Sequence, residues 1–183
     1  MLTDRQKETL LKLARETIEK YTTNSIIPKF SDPDPVFMEK RGAFVTIHKN
    51  GKLRGCIGMI EAQEPLYETV TEMAIEASTN DPRFEPVNAE ELKEIDIEIS
   101  VLTPKRRVKS IDEIELGRHG VIVRRGFNSG VYLPQVALDT GWTKEQFMES
   151  LCSGKAGLSA DAYKDPKTEI YVFEAEVFGE KQK

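Results

Sequence analysis

The stretch that decides the fold of this chain is AFVTIHKNGKLRGCIGMI, residues 43–60. Apolar and β-branched residues stand on both sides of Asn50-Gly51, the dipeptide that most strongly favours a two-residue hairpin turn. Such a turn joins two neighbouring strands that run in opposite directions. The stretch therefore predicts a β-hairpin and, with it, the beginning of an antiparallel sheet.

The length of the turn also predicts which residues face each other. A regular two-residue hairpin places Ile47 opposite Arg54 and Val45 opposite Cys56, and opposed side chains share a face. We therefore expect Arg54 and Cys56 to point the same way. His48 falls on the other face in this register, which makes it a poor base for Cys56.

The rest of the chain alternates between helical and strand periodicity. Helices are predicted for residues 3–20, 65–79, 110–115 and 143–151, and strands for residues 95–101, 121–125, 131–133 and 171–177. The capping-box pairs Thr3/Gln6 and Thr143/Gln146 open two of the helices. Because hairpins outnumber strand–helix–strand crossovers, the pattern predicts an antiparallel α+β fold.

Length and composition exclude several classes of protein. At 183 residues with a formal net charge of -5, the chain suits one domain or two small lobes, and it lacks the concentrated positive charge that nucleic-acid binding needs. A solvated loop and a hairpin rim explain the basic residues at 105–109 and 124–125. No apolar run approaches the roughly 20 residues of a membrane span. Two distant cysteines, Cys56 and Cys152, indicate unpaired thiols and a cytoplasmic location.

Several short motifs resemble those of the AMMECR family, in that family's order. The hexapeptide LRGCIG occupies residues 53–58. The other matching motifs are RGAFVT at 41–46, DPRF at 81–84, LPQV at 133–136, GW at 141–142 and KAGL at 155–158. Tyr163 departs from the pattern, since many relatives carry Trp there. The resemblance spans nearly the whole chain.

The resemblance implies a single AMMECR-type domain over residues 1–183. Its fold would have two lobes with antiparallel sheets flanked by helices, and a cleft between the lobes. The family is associated with Memo-type and radical-SAM proteins, which are therefore the expected partners. No established activity comes with the resemblance, so function has to be sought in individual residues.

Cys56 is the first candidate for chemistry. Gly55 and Gly58 bracket it, and glycine inside a strand indicates that another group approaches the backbone closely, so both glycines are candidate ligand-binding positions. In one interpretation Cys56 is a nucleophile whose thiolate is favoured by the neighbouring Arg54. In the other, Cys56 is a small buried apolar residue in a tightly packed sheet.

Three polar side chains are candidates for ligand binding. The forked guanidinium of Arg54 suits a carboxylate or phosphate, or a buried acid of the protein itself. Arg83 is either a ligand clamp or part of an interlobe salt bridge. Gln135 follows Pro134, which fixes the local backbone, and its amide either binds ligand or satisfies neighbouring peptides.

His119 is the remaining imidazole that could act as a base for Cys56. In the alternative interpretation, His119 is simply an exposed histidine in a turn. The cysteines and histidines lack the spacing of a zinc site, and no nucleotide-binding glycine motif is present. We therefore expect no metal and no cofactor. Two functions remain open: a module that binds a small anionic or peptide ligand, and a cysteine-dependent enzyme that works through a thio-intermediate.

Overall fold

The computed structural model describes residues 1–181 and has the α+β architecture expected from the sequence. Its α-helices are α1 (Asp4–Asn24), α2 (Leu66–Thr79), α3 (Pro134–Thr140) and α4 (Lys144–Ser150). Its strands are β1 (Ala43–Lys49), β2 (Lys52–Met59), β3 (Ile95–Leu102), β4 (Arg106–Val108), β5 (Gly120–Arg125), β6 (Asn128–Tyr132), β7 (Glu169–Phe173) and β8 (Ala175–Gly179). Short 3₁₀ turns and a π-helical turn after α4 complete the described chain.

The strands form two four-stranded sheets. The first sheet has the order β2-β1-β3-β8, so β2 lies at its edge, and the second has the order β4-β7-β5-β6. In the first sheet β1 runs antiparallel to both β2 and β3. In the second, β7 runs antiparallel to β4 and β5, and β5 to β6. The antiparallel arrangement is the one that the hairpin signals predicted.

The chain divides into two compact units. The first unit comprises Met1–Leu102 together with the segment that begins at Glu176, and the second comprises Thr103–Ala175. The first unit therefore contains α1, α2 and the first sheet, and the second contains the second sheet with α3 and α4. Each unit has its own cluster of buried apolar side chains.

The first helix begins where the capping-box signal predicted. The Thr3 side chain accepts a hydrogen bond from the Gln6 N–H, and the Gln6 side chain accepts one from the Thr3 N–H. Leu10, Ala14 and Ile18 then follow at helical spacing and are fully buried. They contribute to the core between α1, α2 and the first sheet, so periodicity correctly identified the buried face.

The predicted C-terminal strand is in fact two strands in different sheets. The single strand predicted over residues 171–177 is interrupted at Glu174, between β7 and β8. Here the Glu174 N–H donates to the Thr103 hydroxyl at 2.9 Å, and the Glu174 carbonyl accepts from the Thr103 N–H at 2.9 Å. Alternation continues through this crossover, so the pattern alone did not reveal it.

Candidate functional site

The hairpin formed by β1 and β2 contains a β-bulge that the sequence analysis did not anticipate. Next to the Asn50-Gly51 turn, His48 lies opposite Leu53 as expected, but Ile47 then pairs with Gly55. Arg54 is the additional residue on β2. The predicted Ile47–Arg54 pair is therefore wrong, because a bulge sets two residues of one strand against one of the other.

Beyond the bulge, the register is shifted by one residue. Cys56 lies opposite Thr46, and Val45 lies opposite Ile57 instead of Cys56. Val45 is fully buried in the core between the sheet and the helices, whereas Thr46 is half-buried and points to the other face. Cys56 consequently shares the face of Thr46, which is directed away from that core.

The two glycines beside Cys56 permit close contacts within the protein. A Cβ atom on Gly55 would collide with the backbone carbonyl oxygen of Ala77 in α2. A Cβ atom on Gly58 would collide with the aromatic ring of Phe44 on β1. The close approach expected from the glycines is therefore present, and the approaching groups are a helix carbonyl and a ring of the same unit.

Cys56 is half-buried, and three polar groups hold it in place. Its N–H donates to Asp81 Oδ2 at 2.8 Å, and its carbonyl accepts from Arg83 Nη2 at 3.1 Å. The hydroxyl of Thr46 donates to Cys56 Sγ at 3.2 Å. The backbone of the residue is thus fixed by side chains, and the residue as a whole remains partly exposed.

Asp81 and Arg83 form a bidentate ion pair next to Cys56. Arg83 Nε donates to Asp81 Oδ1 at 2.9 Å, and Arg83 Nη2 donates to Asp81 Oδ2 at 2.7 Å. The hydrogen bonds from Arg83 hold the pKa of the Asp81 carboxyl well below its usual range, although burial acts in the opposite direction. The Asp81 side chain is 2% exposed and that of Arg83 is 53% exposed. Within residues 1–181, Arg83 Nη1 makes no hydrogen bond.

Arg54, by contrast, is engaged by groups of its own unit. Its Nε and Nη2 donate to the two carboxylate oxygens of Glu91 at 3.0 and 2.9 Å. Nη1 donates to the carbonyl of Glu85 at 2.8 Å, and Nη2 also reaches the carbonyl of Pro86 at 3.3 Å. The side chain is only 15% exposed. This geometry favours the second alternative for Arg54, pairing with a buried acid.

Glu91 connects Arg54 to the end of β1. Its carboxylate also accepts from Lys49 Nζ at 3.1 Å. The hydrogen bonds from Arg54 are the largest cause lowering the pKa of Glu91, from an ordinary value of 4.5 to about 2. Lys49 lies two residues after Ile47 and so on the core side of the sheet, which places the Arg54 guanidinium on that side. Arg54 and Cys56 therefore lie on different faces of the sheet, and the prediction that they share a face is wrong.

A single aromatic ring lies near both arginines. Arg54 Cζ is 6.0 Å from the centroid of the Phe84 ring, and Arg83 Cζ is 5.5 Å from it. These distances are within the range of cation–π attraction. The DPRF segment, residues 81–84, thus provides an acid, a guanidinium and a ring that pack around β2.

The bulge also reverses the conclusion about His48. Along β1, His48 alternates with buried Ile47 and so lies on the same face as Thr46 and Cys56. On β3 the neighbours of this face are Glu98, opposite Thr46, and Asp96, opposite His48. The interpretation of His48 as turned away from Cys56 was wrong because it assumed a regular hairpin.

The other predicted site residues belong to the second unit. His119 is buried, so the alternative of an exposed turn histidine is wrong. Its Nδ1 accepts a hydrogen bond from the Glu115 N–H at 3.0 Å, and its Nε2 is 3.9 Å from Glu174 Oε1. Gln135 is exposed on the first turn of α3, directly after Pro134.

Sequence comparison identifies the family. The model of the AMMECR1 family matches residues 11–178. The chain belongs to the AMMECR1 family. A relative from Methanothermobacter thermautotrophicus is 46% identical over 179 residues, which is 94% of this chain and 93% of the relative. Protein MK0488 from Methanopyrus kandleri is 45% identical over 99% of this chain and 91% of its own length.

A solved structure agrees with this assignment. The crystal structure of uncharacterized protein PH0010 from Pyrococcus horikoshii superimposes with a TM-score of 0.82 at 38% sequence identity, over 98% of this chain and 94% of that chain. The family that the short motifs predicted is therefore confirmed, and so is the fold class.

Three further properties of this AMMECR1 chain concern metal ions, membranes and its cysteines. Across residues 1–181, no three His, Cys, Asp or Glu side chains are grouped so that they could hold a metal ion. Over the same residues, no helix has the length and apolar character needed to cross a membrane. Both cysteines are free thiols, as predicted, and Cys152 is fully buried in the second unit.

The residues that sequence analysis missed are the partners of the predicted ones. Asp81 and Glu91 fix Cys56 and Arg54, and Thr46 contacts the thiol. Asp81 begins the DPRF motif, which was a signal for its importance. Glu91 stands in a charged stretch with no distinguishing pattern, so nothing in the sequence singled it out.

Proposed function

We propose that the protein is a binding module that holds a small ligand beside Cys56, and that Arg83 recognises an anionic group of this ligand. The observation that carries the proposal is the position of Arg83. Asp81 binds the Nε/Nη2 edge of the guanidinium and the Cys56 carbonyl takes the other hydrogen of Nη2, so that Nη1 makes no hydrogen bond within the described residues. A fixed guanidinium with a free Nη1 group can donate to a carboxylate or phosphate oxygen.

Arg54 has a supporting role in this proposal. Its donors are directed to Glu91 and to two backbone carbonyls, so binding an external anion would require breaking a buried ion pair. Arg54 connects the bulge to the loop that contains Glu85 and Pro86, while Arg83 provides the exposed charge. The anionic group of the ligand can be the carboxylate of a peptide. Memo-type or radical-SAM proteins are the partners suggested by the family resemblance.

Charged and neutral alkylating agents test whether Arg83 attracts anions to Cys56. In a Cys152→Ser background, the rate constants for alkylation by iodoacetate and iodoacetamide are measured at low salt, and their ratio is compared with that for glutathione. We expect the ratio at Cys56 to be about fivefold higher, because a nearby positive charge favours the anionic reagent. Using a ratio removes differences in thiol accessibility.

Variants separate the effect of Arg83 from that of any surface arginine. Arg83→Gln should abolish the preference for iodoacetate and Arg83→Lys should retain part of it. Arg106→Gln should change nothing, although Arg106 has similar exposure, 56%, and is also paired with an acid, Glu113. A wild-type ratio equal to that of glutathione would contradict the proposal, as would an equal effect of Arg83→Gln and Arg106→Gln.

A second candidate function is a cysteine-dependent transferase or hydrolase. It is favoured by the hydrogen bond from the Thr46 hydroxyl to Cys56 Sγ, because this contact orients the sulfur of the candidate nucleophile. The thiolate would attack an acyl carbon, the leaving group would depart with a proton, and water would later hydrolyse the thioester. Incubation with acyl thioesters followed by mass spectrometry tests this candidate, which requires an acyl adduct on Cys56 that is absent from Cys56→Ser.

A further inference from the structure

A groove on the first unit lies apart from the residues around Cys56. It runs between the exposed side of α2 and the preceding segment 27–30, and its volume is about 340 Å³. Pockets for small molecules usually occupy about 300–1,000 Å³. The groove is therefore large enough for one or two bulky side chains, and too small for an extended cofactor.

The inner surface of the groove is aromatic and aliphatic. Phe30 stacks on Tyr67 with ring centroids 4.8 Å apart and an interplanar angle of 12°. Phe37 supports Phe30 from below in an edge-on contact, with centroids 5.2 Å apart. Ile75 and Ile27 extend this surface, and Ile27 is 55% exposed. Apolar side chains that remain in contact with water around a concave surface are typical of an interaction site.

The rim of the groove is acidic. Glu64, Glu68 and Glu72 are spaced four residues apart, so they follow one side of α2 and the residues just before it. All three are exposed, and none forms a salt bridge within residues 1–181. The hydroxyl of Tyr67 donates to Glu68 at 2.6 Å, which orients that carboxylate. The groove thus combines an apolar floor with three exposed carboxylates that form no salt bridge in the described part of the chain.

We propose that this groove docks a basic segment of another protein, in which Lys or Arg residues flank a bulky apolar side chain. The apolar side chain would pack on Phe30 and Tyr67, and the cationic groups would pair with Glu64, Glu68 and Glu72. Charge complementarity determines the choice of partner, since the rim repels nucleic acid and acidic peptides. Glu68 and Glu72 lie about one turn apart on α2 and Glu64 precedes the helix, and carboxylates distributed along the groove in this way suit a peptide better than a single small cation.

Fluorescence anisotropy with a defined peptide tests the proposal. The probe is the fluorescein-labelled peptide AKRLAKLFKRA, titrated with the full chain at low salt. One control peptide replaces its Leu and Phe residues by Ser at unchanged charge, and a second replaces its Lys and Arg residues by Gln. We expect saturable binding of the probe and at least about tenfold weaker binding of either control, because both parts of the groove contribute.

Matched variants locate the binding site. The triple variant Glu64→Gln, Glu68→Gln, Glu72→Gln should weaken binding about tenfold at low salt and less at high salt. The triple variant Glu90→Gln, Asp139→Asn, Glu149→Gln removes the same charge from exposed positions elsewhere and should have little effect. Equal weakening by the two triples would overturn the proposal, because it would indicate attraction to the net charge alone.

The apolar contact has its own control. Ile27→Ser should weaken binding, whereas Leu138→Ser, at a position 70% exposed in the second unit, should not. Dynamic light scattering that shows a dimer dissociated by Ile27→Ser would overturn the proposal by assigning the groove to a second copy of this chain. Displacement of the probe by tetramethylammonium chloride at concentrations where sodium chloride has no effect would overturn it by assigning a small-cation site.

Discussion

Asp81 Oδ2 accepts a hydrogen bond of 2.8 Å from the backbone N–H of Cys56, across 25 residues of sequence. The contact joins the DPRF segment to the centre of β2. Because Asp81 also binds Arg83, one carboxylate positions both the thiol-bearing residue and the exposed guanidinium next to it. This arrangement makes Asp81 the residue on which the candidate site depends most.

Replacing Asp81 should destabilise the first unit. Asp81→Asn removes a buried charge that accepts hydrogen bonds from the Cys56 and Arg83 N–H groups, and we expect the free energy of unfolding to fall by about 2 kcal/mol. Urea unfolding near pH 7 measures the change. The exposed position Asp139 supplies the control, and Asp139→Asn should leave the unfolding midpoint nearly unchanged.

The ion pair of Glu91 and Arg54 should make stability depend on pH in the acid range. The pKa of Glu91 is lowered in the folded state from 4.5 to about 2. Its contribution is therefore fully present above about pH 4.5 and is lost as the pH falls towards 2. Between these limits we expect the wild type to lose about 2 kcal/mol more than Glu91→Gln.

Urea unfolding at intervals from neutral to acid pH measures this difference. Other carboxylates titrate in both proteins, so the comparison rests on the difference between the two curves. Parallel curves for the wild type and Glu91→Gln would show that the pair does not stabilise the folded state through its charge.

A methyl group at position 55 should disrupt the packing of β2 against α2. In Gly55→Ala the added Cβ meets the Ala77 carbonyl, a backbone atom that cannot rotate away. We expect a loss of about 2–3 kcal/mol in the free energy of unfolding. Gly154→Ala is the control, since the nearest atoms outside its chain neighbours and its own helix backbone lie 4.0 Å from the added Cβ. In thermal unfolding, Gly55→Ala should have a clearly lower midpoint than Gly154→Ala.

His48 should influence the thiol of Cys56 more than His119 does. His48 lies on the same sheet face as Cys56, whereas His119 is buried and bound to the Glu115 N–H. In a Cys152→Ser background, His48→Gln should slow alkylation of Cys56 by iodoacetamide roughly tenfold near neutral pH if the imidazole takes the thiol proton. A rate unchanged by His48→Gln but reduced by His119→Gln would instead support His119, the base that the sequence analysis proposed.

Much of the fold could be predicted because its signals are local. Asn50 and Gly51 have φ angles of 53° and 75°, the positive values that an Asn-Gly turn requires. Capping boxes at Thr3 and Thr143 likewise act within one helical turn, and both are present in the structure. Such signals determine where elements begin and how neighbouring strands are connected.

The candidate site was less predictable because it depends on one inserted residue and on distant partners. Gly55 within the strand is typical of a bulge, but a glycine does not indicate which neighbour is the additional residue. Because of this one additional residue, Cys56 lies on the face of Thr46 and His48 and not on the predicted face. Glu91, which binds Arg54 across 37 residues, could not be identified from spacing or periodicity.

The hydrogen bonds on Cys56 also cover part of a sheet edge. β2 is the outer strand of its sheet, and an outer strand with free N–H and carbonyl groups can recruit strands from other molecules. Asp81 and Arg83 occupy both backbone groups of Cys56, at the middle of that strand. The DPRF segment therefore blocks hydrogen bonding between this part of β2 and a strand of another molecule. Loss of its two charged side chains would leave the Cys56 N–H and carbonyl free and would favour aggregation.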